Sequence, residues 1–362
     1  MLAWRALTRV PIPRLTFALC VVATALVVGY LSPAEGAGGF EAEEKASERE
    51  ARAELNQEAE ASQEKALAAS AHVGGNLVPR SGAYFGTTVD GLKPGSQIHL
   101  LAPLQRKVHR KFELVQTFYG WKDAFPSYEE RMLVSKGQIP VVAWKGTNLS
   151  AINSGRFDSM IRKRAREMKR WGHPVFLRWG FEMNGKWEAW SGPRNQPNGP
   201  RKYRLAYRRI WRIFKTVGAN KVVWVWSINN EDLPMVSWNH WTHYYPGDQY
   251  VDWVGISGFN WGTTQSWSSW RSIEEIIRAP YRDYRRHPIM LIETGSVEQG
   301  GSKARWITNA RFTLHRNFRA VRGFVYFNAT DNQGATWPVT TSTSAVRAYR
   351  EMGQDPYWDS RH

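Results

Sequence analysis

Eight short runs of apolar, β-branched and aromatic residues recur through the last 290 positions of the 362-residue chain, and they constrain the fold more than any other feature. Most are nearly continuous apolar stretches, such as VVWVW and MLI, rather than alternating ones. That pattern is typical of parallel strands buried on both faces. The runs occupy positions 82–88, 112–119, 139–144, 174–180, 221–227, 251–258, 288–294 and 323–328.

Charged, helix-like segments separate several of these runs, for example at 157–171 and 202–217. Alternating β and α units predict an α/β protein with a parallel sheet. Eight such units in a segment of this length match a (β/α)8 TIM barrel in number and size. The alternative is an open doubly wound sheet, but no glycine-rich phosphate loop follows the first run. We therefore predict a barrel domain over residues 73–362.

The N-terminal segment has the pattern of an export signal. Arg5, Arg9 and Arg14 precede an uncharged apolar run from 15 to 31. A positive flank followed by an apolar stretch is typical of a secretory signal or of an N-terminal membrane anchor. Residues 1–38 therefore predict a secreted or cell-envelope protein. Small residues at 34–37 offer cleavage positions, so a removed signal and a retained anchor both stay open.

The segment that follows, residues 39–72, has a different composition. Between 40 and 70 it holds nine Glu and nine Ala, with no Gly or Pro. Its large apolar residues are too few to form the seam of a coiled coil. High helix propensity without an apolar face predicts a charged helical stalk, and a disordered spacer is the alternative.

Two acidic residues stand where the chemistry of a barrel is found. Glu182 follows the fourth run and Glu293 lies at the end of the seventh, and catalytic groups in TIM barrels lie at the C-terminal ends of the strands. Two carboxylates facing one sugar are what glycoside hydrolysis needs, because one protonates the leaving oxygen and the other attacks or activates water. We therefore predict a glycosidase site between these residues.

The residues around both carboxylates resemble glycoside hydrolase family 26. The fourth run opens into R-x-x-x-E-M-N-G-x-W-x-x-W, from Arg178 to Trp190, and the seventh ends in I-E-T-G-S at 292–296. The similarity extends through 139–144, 244–252 and 258–262. The resemblance implies a retaining hydrolase with Glu182 as acid/base and Glu293 as nucleophile. It also implies endo-action on a β-linked polysaccharide such as mannan or mixed-linkage glucan, without a metal or cofactor.

Two positions depart from the family pattern. The family usually has His before the acid/base and Tyr at the end of the sixth strand, and this chain has Phe181 and Phe259 there. Two lost polar partners predict poorer orientation of the carboxylates, and an apolar neighbour predicts a raised pKa for Glu182. The alternative function is therefore a catalytically degenerate protein of the same fold that binds glycan or scaffolds the envelope.

Aromatic and polar residues near the predicted strand ends suit sugar binding, because indole faces stack on sugar rings while polar groups bind hydroxyls. The alternative for any of the 19 Trp is packing in the barrel wall, which we expect for Trp179, Trp224 and Trp253. Arg178 has the further alternative of an ion pair with Glu293. The predicted sugar-binding residues are Arg178, Asn184, Trp187, Trp190, Trp144, Trp226, Asn229, Asn260, Trp261, Asn328 and Trp337.

The formal net charge of +17 comes from an excess of Lys and Arg that is concentrated on the presumed outer helices. This excess predicts contact with an anionic envelope surface or an acidic glycan. Nucleic acid is the other usual partner of such charge, but no nucleic-acid motif is present and we do not expect it. With Cys20 as the only cysteine, a disulfide scaffold and a cysteine zinc site are both excluded.

Overall fold

The computed structural model of the protein describes residues 76–89, 98–330 and 334–358. Within them, eight parallel strands close into a barrel in sequence order, and the last strand pairs with the first. The predicted (β/α)8 TIM barrel is confirmed, and each predicted run overlaps one strand. The strands are β1 (Tyr84–Val89), β2 (Leu114–Tyr119), β3 (Ile139–Trp144), β4 (Val175–Trp179), β5 (Val222–Asn229), β6 (Trp253–Asn260), β7 (Ile289–Ser296) and β8 (Val321–Asn328).

Helices lie between the strands and after β8. Those in the described residues are α1 (Ile98–Val108), α2 (Tyr128–Ser135), α3 (Leu149–Asn153), α4 (Asp158–Trp171), α5 (Gly199–Val217), α6 (Ile273–Tyr284), α7 (Lys303–Asn317) and α8 (Thr343–Gln354). The link from β5 to β6 differs from the others, because it holds three short 3-10 helices in place of an α-helix. Long loops follow β4, β5 and β6 at the C-terminal ends of these strands.

The predicted export segment 1–38 and stalk 39–72 lie outside the described residues, so both stay predictions. Among the residues that are described, no helix has the length and apolar character needed to cross a membrane.

Helix ends are set by local sequence. Ser127 caps α2 and Ser272 caps α6, each in a capping box with the Glu three residues later. In both cases the serine side chain accepts a bond from the third backbone N–H, and the glutamate accepts one from the serine N–H. Helices α4 and α5 end at Gly172 and Gly218, whose φ angles of 72° and 80° favour glycine.

The barrel interior is filled by apolar side chains. Its residues come from every strand and are largely or fully buried, which leaves no open channel through the barrel. Trp179, Trp224 and Trp253 are buried in the strands, as predicted. A ligand can therefore reach the barrel only at its rims. The interior cluster consists of Tyr84, Leu114, Val141, Phe176, Val223, Val225, Trp253, Met290, Ile292 and Val325.

Candidate active site

At the C-terminal ends of the strands the barrel interior changes from apolar to polar. Successive inward positions on a strand are two residues apart. At the inward positions that follow the apolar interior cluster along the strands, polar side chains form one layer. All of these side chains are fully buried. The layer consists of Gln116 on β2, Arg178 on β4, Ser227 on β5 and Ser257 on β6.

Arg178 is the centre of this layer. Its Nε donates to Ser227 Oγ at 2.9 Å, and its Nη2 donates to Ser257 Oγ at 2.6 Å. Its Nη1 forms an ion pair with Glu293, and its Nη2 lies 3.6 Å from Glu182 Oε1. One guanidinium therefore contacts both predicted catalytic carboxylates, which brings them into one cleft. Of the two predicted roles for Arg178, the structure supports the ion pair, because the side chain is buried away from solvent.

Glu293 reaches the polar layer because of an irregularity in β7. In the pairing with β6, Ile256 is opposite Leu291 and Ser257 is opposite Glu293, so one residue of β7 is extra. Such a bulge redirects the side chains that follow it. Besides the contact with Arg178, Glu293 Oε1 accepts a bond of 2.7 Å from Gln116 Nε2. A cation and an amide donor thus hold this carboxylate, which is 7% exposed.

Glu182 lies on a strained turn just after β4. Its φ of 53° is in the left-handed region, which costs a residue with a side chain on the order of 1–3 kcal/mol. Backbone bonds stabilise the turn, because Glu182 N–H donates to Ser227 O at 2.9 Å and Gly185 N–H donates to Glu182 O at 2.9 Å. Trp187 Nε1 donates to Glu182 Oε2 at 3.1 Å. The turn thus aims a carboxylate, 8% exposed, at the centre of the mouth.

Burial, together with the smaller effect of the negative charge of Glu293, raises the pKa of Glu182 to about 7. The charge of Arg178 and a hydrogen bond from Ser257 act in the opposite direction. Glu182 is therefore suited to hold a proton near neutral pH, as the sequence predicted from its apolar surroundings. A proton donor and a second carboxyl group across one cleft are the groups that glycoside hydrolysis needs.

A third carboxylate, which sequence reasoning missed, lies beside the pair. Glu188 is half-buried on the loop after β4, and burial raises its pKa. Lys145, exposed just after β3, lowers the pKa of Glu188, and the charge of Glu293 raises it. Glu188 also contributes to the raised pKa of Glu182. The available signal was its position six residues after Glu182 in the same loop.

The structure corrects most of the predicted sugar-binding tryptophans. Trp144, Trp190, Trp226 and Trp337 are at most 2% exposed, so they are packed within the protein and the prediction for them is wrong. Trp190 donates from Nε1 to the carbonyl of Phe181 at 2.7 Å, which makes it a support of the catalytic turn.

Two predicted tryptophans do lie at the accessible part of the mouth. Trp187 is 40% exposed and hydrogen-bonds Glu182, so its indole borders the cleft. Trp261 is half-buried after β6. Sugar binding by both stays a prediction.

The predicted asparagines are mainly structural. Asn184 is fully buried and its side chain bonds the backbone of Asn229 and Glu231, so it positions the β5 loop. Asn260 is fully buried and bonds Ser296 and the backbone of its own loop. The prediction that these two bind sugar is therefore wrong.

Asn229 and Asn328 differ from them, because both are partly exposed. Their side-chain oxygens accept bonds from the backbone N–H groups of Glu231 and Val339. For these two residues sugar binding stays a prediction.

The two phenylalanine departures do not leave the carboxylates without polar partners, which corrects the expectation drawn from them. Phe181 lies with its ring centroid 4.4 Å from the guanidinium carbon of Arg178, a cation–π contact. Phe259 packs on Trp337 with ring centroids 4.7 Å apart. Gln116, Arg178 and Trp187 supply the hydrogen bonds to the carboxylates instead.

No group of three His, Cys, Asp or Glu side chains suited to a metal ion occurs in the described part of the chain.

Comparison with known sequences gives consistent matches over the barrel. A family model described as Glycosyl hydrolase family 26 matches residues 141–280. Endoglucanase H from Acetivibrio thermocellus is 34% identical over 251 residues, which cover 67% of this chain and 27% of that protein. A mannan endo-1,4-beta-mannosidase from Bacillus subtilis is 29% identical over 144 residues, which cover 38% of this chain and 37% of that protein. The aligned part of the chain thus spans well under half of the length of these relatives.

Solved structures show the same fold. A Bacillus subtilis mannanase, man26, superposes with a TM-score of 0.54 at 16% identity, covering 77% of this chain and 87% of the other. A GH26 beta-mannanase from Bacteroides ovatus gives a TM-score of 0.56 at 14% identity, covering 77% and 90%. Since the family model includes Arg178 and Glu182 and the endoglucanase aligns over two thirds of the chain, the chain belongs to glycoside hydrolase family 26.

Proposed function

We propose that the protein is a retaining endo-β-glycosidase that hydrolyses a β-linked polysaccharide. The observation that carries this proposal is the contact of one buried guanidinium with two carboxylates in unlike surroundings. Glu293 accepts bonds from a cation and an amide, which hold its carboxylate in position in the cleft. Glu182 has a raised pKa and keeps a proton near neutral pH. A positioned carboxylate and a carboxyl group that keeps its proton are what a nucleophile and a general acid require.

The reaction follows from these two roles. A carboxylate oxygen of Glu293 attacks the anomeric carbon, the bond to the departing sugar oxygen breaks, and that oxygen takes the proton of Glu182. A covalent glycosyl-enzyme results. Glu182, now ionised, accepts a proton from water as the water oxygen attacks the same carbon and the bond to Glu293 breaks. Two displacements at one carbon retain its configuration.

The substrate class is a β-linked glycan, with mannan-type polymers, mixed-linkage glucan and an envelope exopolysaccharide as the specific candidates. The relatives support the class, because their names describe an endoglucanase, a mannan endo-1,4-beta-mannosidase and a beta-1,3-xylanase. They differ among themselves in the polymer, so a screen has to select the sugar.

The test is release of reducing ends from a panel of mannan, mixed-linkage glucan, xylan and acidic exopolysaccharides. We expect the wild type to turn over one of them and both Glu182→Ala and Glu293→Ala to lose this turnover. Proton NMR of the newly released product should show that its anomeric configuration is retained. Glu274→Ala, at an exposed acid on α6 that pairs with Arg278, is the matched control and keeps activity. Tight binding without turnover by the wild type supports the degenerate glycan-binding alternative.

We also propose that the outer face of α4 binds an anionic envelope surface of the compartment to which the N-terminal segment exports the protein. Arg162, Lys163, Arg166, Lys169 and Arg170 are all exposed on this helix. Its two acids are already engaged, because Glu167 is buried against Arg164 and Asp158 pairs with Arg209. The helix therefore presents a cationic surface.

Vesicle binding tests this surface. We expect the protein to bind anionic vesicles at low salt and release them at high salt, because screening weakens contacts between exposed charges. The variant Lys163→Glu/Arg166→Glu/Arg170→Glu loses binding and keeps its glycosidase activity. Equal binding to neutral and anionic vesicles contradicts the proposal, and binding to acidic glycan alone identifies the other anionic partner.

A further inference from the structure

The loop between β6 and α6 presents a tryptophan that the catalytic site does not use. Trp267 is 64% exposed, the largest exposed fraction of any Trp in the described residues. Exposing an indole is unfavourable, because a tryptophan buries on the order of 150–250 Å² when it is covered. One exposed aromatic side chain is common on protein surfaces, so a binding role for Trp267 depends on where the indole lies relative to the site.

Trp267 is connected to the site by a line of aromatic rings. On β6, Phe259 is paired with Gly295, two positions beyond the pairing of Ser257 with the catalytic Glu293. Phe259 packs on Trp337 at 4.7 Å, Trp337 on Trp261 at 4.8 Å, and Trp261 on Trp267 at 5.5 Å between ring centroids. The first ring, of Phe259, lies near Glu293 in the sheet. The ring of Trp337 is buried, and the last ring, of Trp267, is exposed to solvent.

The loop that carries Trp267 is held in place by hydrogen bonds. Ser268 Oγ donates to Gly262 O at 2.8 Å, and Thr264 Oγ1 donates to Trp261 O at 2.7 Å. The loop is also tied to the next one, because Thr263 N–H donates to Gln299 O at 3.2 Å. Hydrogen bonds therefore hold the loop on both sides of Trp267, so little conformational entropy is lost when a ligand covers the indole.

We propose that Trp267 is a sugar-binding platform at a distance from the reacting bond, on which a β-linked glycan of several units stacks while its scissile bond lies between Glu182 and Glu293. Sugar rings fit this surface, because their C–H faces stack on indole while their hydroxyls stay in water. The proposal rests on the proposed glycosidase function and adds a requirement for chain length.

The experiment compares long and short substrates. In Trp267→Ala we expect KM for the polysaccharide to rise roughly tenfold, the size of a lost aromatic contact, while kcat stays within about twofold. For a short aryl glycoside both constants stay at the wild-type values. The matched control is Phe312→Ala, which removes an exposed aromatic residue from the outer helix α7. We expect KM and kcat for both substrates to stay at the wild-type values in this variant.

Several results overturn the proposal. Equal losses on the long and short substrates indicate damage to the site, and unchanged constants on both indicate that the indole makes no contact with the chain. A KM change of the same size in Phe312→Ala indicates a general surface effect.

Binding separates this proposal from the function on which it rests. The Glu182→Gln variant binds oligosaccharides of increasing length, and we expect the gain in affinity with length to disappear when Trp267→Ala is added. Failure of the wild type to turn over any glycan contradicts the glycosidase, yet a length-dependent affinity that requires Trp267 still supports the platform. Affinity that is independent of length or of Trp267 contradicts it.

Discussion

The end of β4 and the end of β7 each carry a carboxylate to the same cleft, and they hold it in opposite ways. Glu293 accepts hydrogen bonds from Gln116 and Arg178 and continues a strand. Glu182 lies on a turn with a left-handed φ and accepts from the neutral indole of Trp187, while Arg178 is 3.6 Å away. Position in the barrel brings the two acids together, whereas burial raises the pKa of Glu182.

A shared arginine makes this asymmetry possible. Two buried carboxylates would repel each other, and the charge of Glu293 does raise the pKa of Glu182. Arg178 pairs closely with Glu293 and only loosely with Glu182, and its charge lowers the pKa of Glu182 less than burial raises it. Removing one partner of a buried charge pair leaves the other charge buried without a counter-charge, so we expect loss of Arg178 to destabilise the folded protein.

The largest expected effect separates the two carboxylates by leaving group. In Glu293→Ala, kcat/KM falls at least about 10³-fold on every substrate, because the attacking atom is gone. In Glu182→Ala, kcat/KM for the glycan falls roughly 10²–10⁴-fold, but a dinitrophenyl glycoside loses less than tenfold, because its leaving group departs without a proton. The measurement is steady-state kinetics on both substrates. Equal losses in the two variants on the aryl glycoside would mean that the roles are not divided in this way.

The donors around Glu293 are tested by Gln116→Leu. A hydrogen bond to a charged group contributes about 1.5–3 kcal/mol, so its loss lowers kcat/KM roughly 10- to 100-fold. Thr88→Val is the matched control, because Thr88 bonds the same amide of Gln116 at 3.2 Å without touching the carboxylate. Kinetics on the glycan and thermal unfolding of both variants make the comparison. An equal loss in Thr88→Val would show that packing, rather than the bond to Glu293, is responsible.

The proton of Glu182 predicts the pH profile. With a pKa of about 7, the acid form is lost above neutral pH, so kcat/KM falls on the basic side from about pH 7. In Ser257→Ala a hydrogen bond that favours the charged form is removed, the pKa rises, and the basic limb moves upward by up to about one pH unit. The check is the pH dependence of kcat/KM for both proteins. A basic limb that stays in place, or moves downward, contradicts the role of Ser257.

The smallest expected effect has the opposite sign. Glu188→Gln removes a negative charge that raises the pKa of Glu182, so the basic limb moves to lower pH by a few tenths of a unit. The shift is small because Glu188 is half-buried and its field is screened, and it shrinks further at high salt. The measurement is the pH dependence of kcat/KM for the wild type and Glu188→Gln at two salt concentrations. An upward shift would show that Glu188 does not act on Glu182 through its charge.

Sequence reasoning succeeded where a pattern is repeated or local. The eight strands were predictable because strands buried on both faces leave continuous apolar runs. Glu182 and Glu293 were found because a strand end is a local feature of the chain. The polar layer was missed, although its period-two positions were available, because Gln116 and Ser227 lie within strands that otherwise appear apolar.

The predictions for the tryptophans were less accurate, because the sequence does not show which of them are buried. Trp144 and Trp226, at the ends of predicted strands, are buried, and Trp267 was overlooked although it is exposed. Whether an aromatic side chain faces packing or solvent depends on which loop covers it. That covering comes from residues far away along the chain, such as the contact of Trp144 with Trp121 at 4.8 Å.

By itself, the sequence determined the barrel, the two carboxylates at its mouth and the family, because each depends on short motifs and on spacing along one chain. The raised pKa of Glu182, the accessibility of each tryptophan and the groups that hydrogen-bond the carboxylates beside Phe181 and Phe259 depend on the folded barrel. The physical reason is that desolvation, ion pairing and burial are sums over neighbours from different strands. Those neighbours are brought together only when β1 and β8 close the barrel.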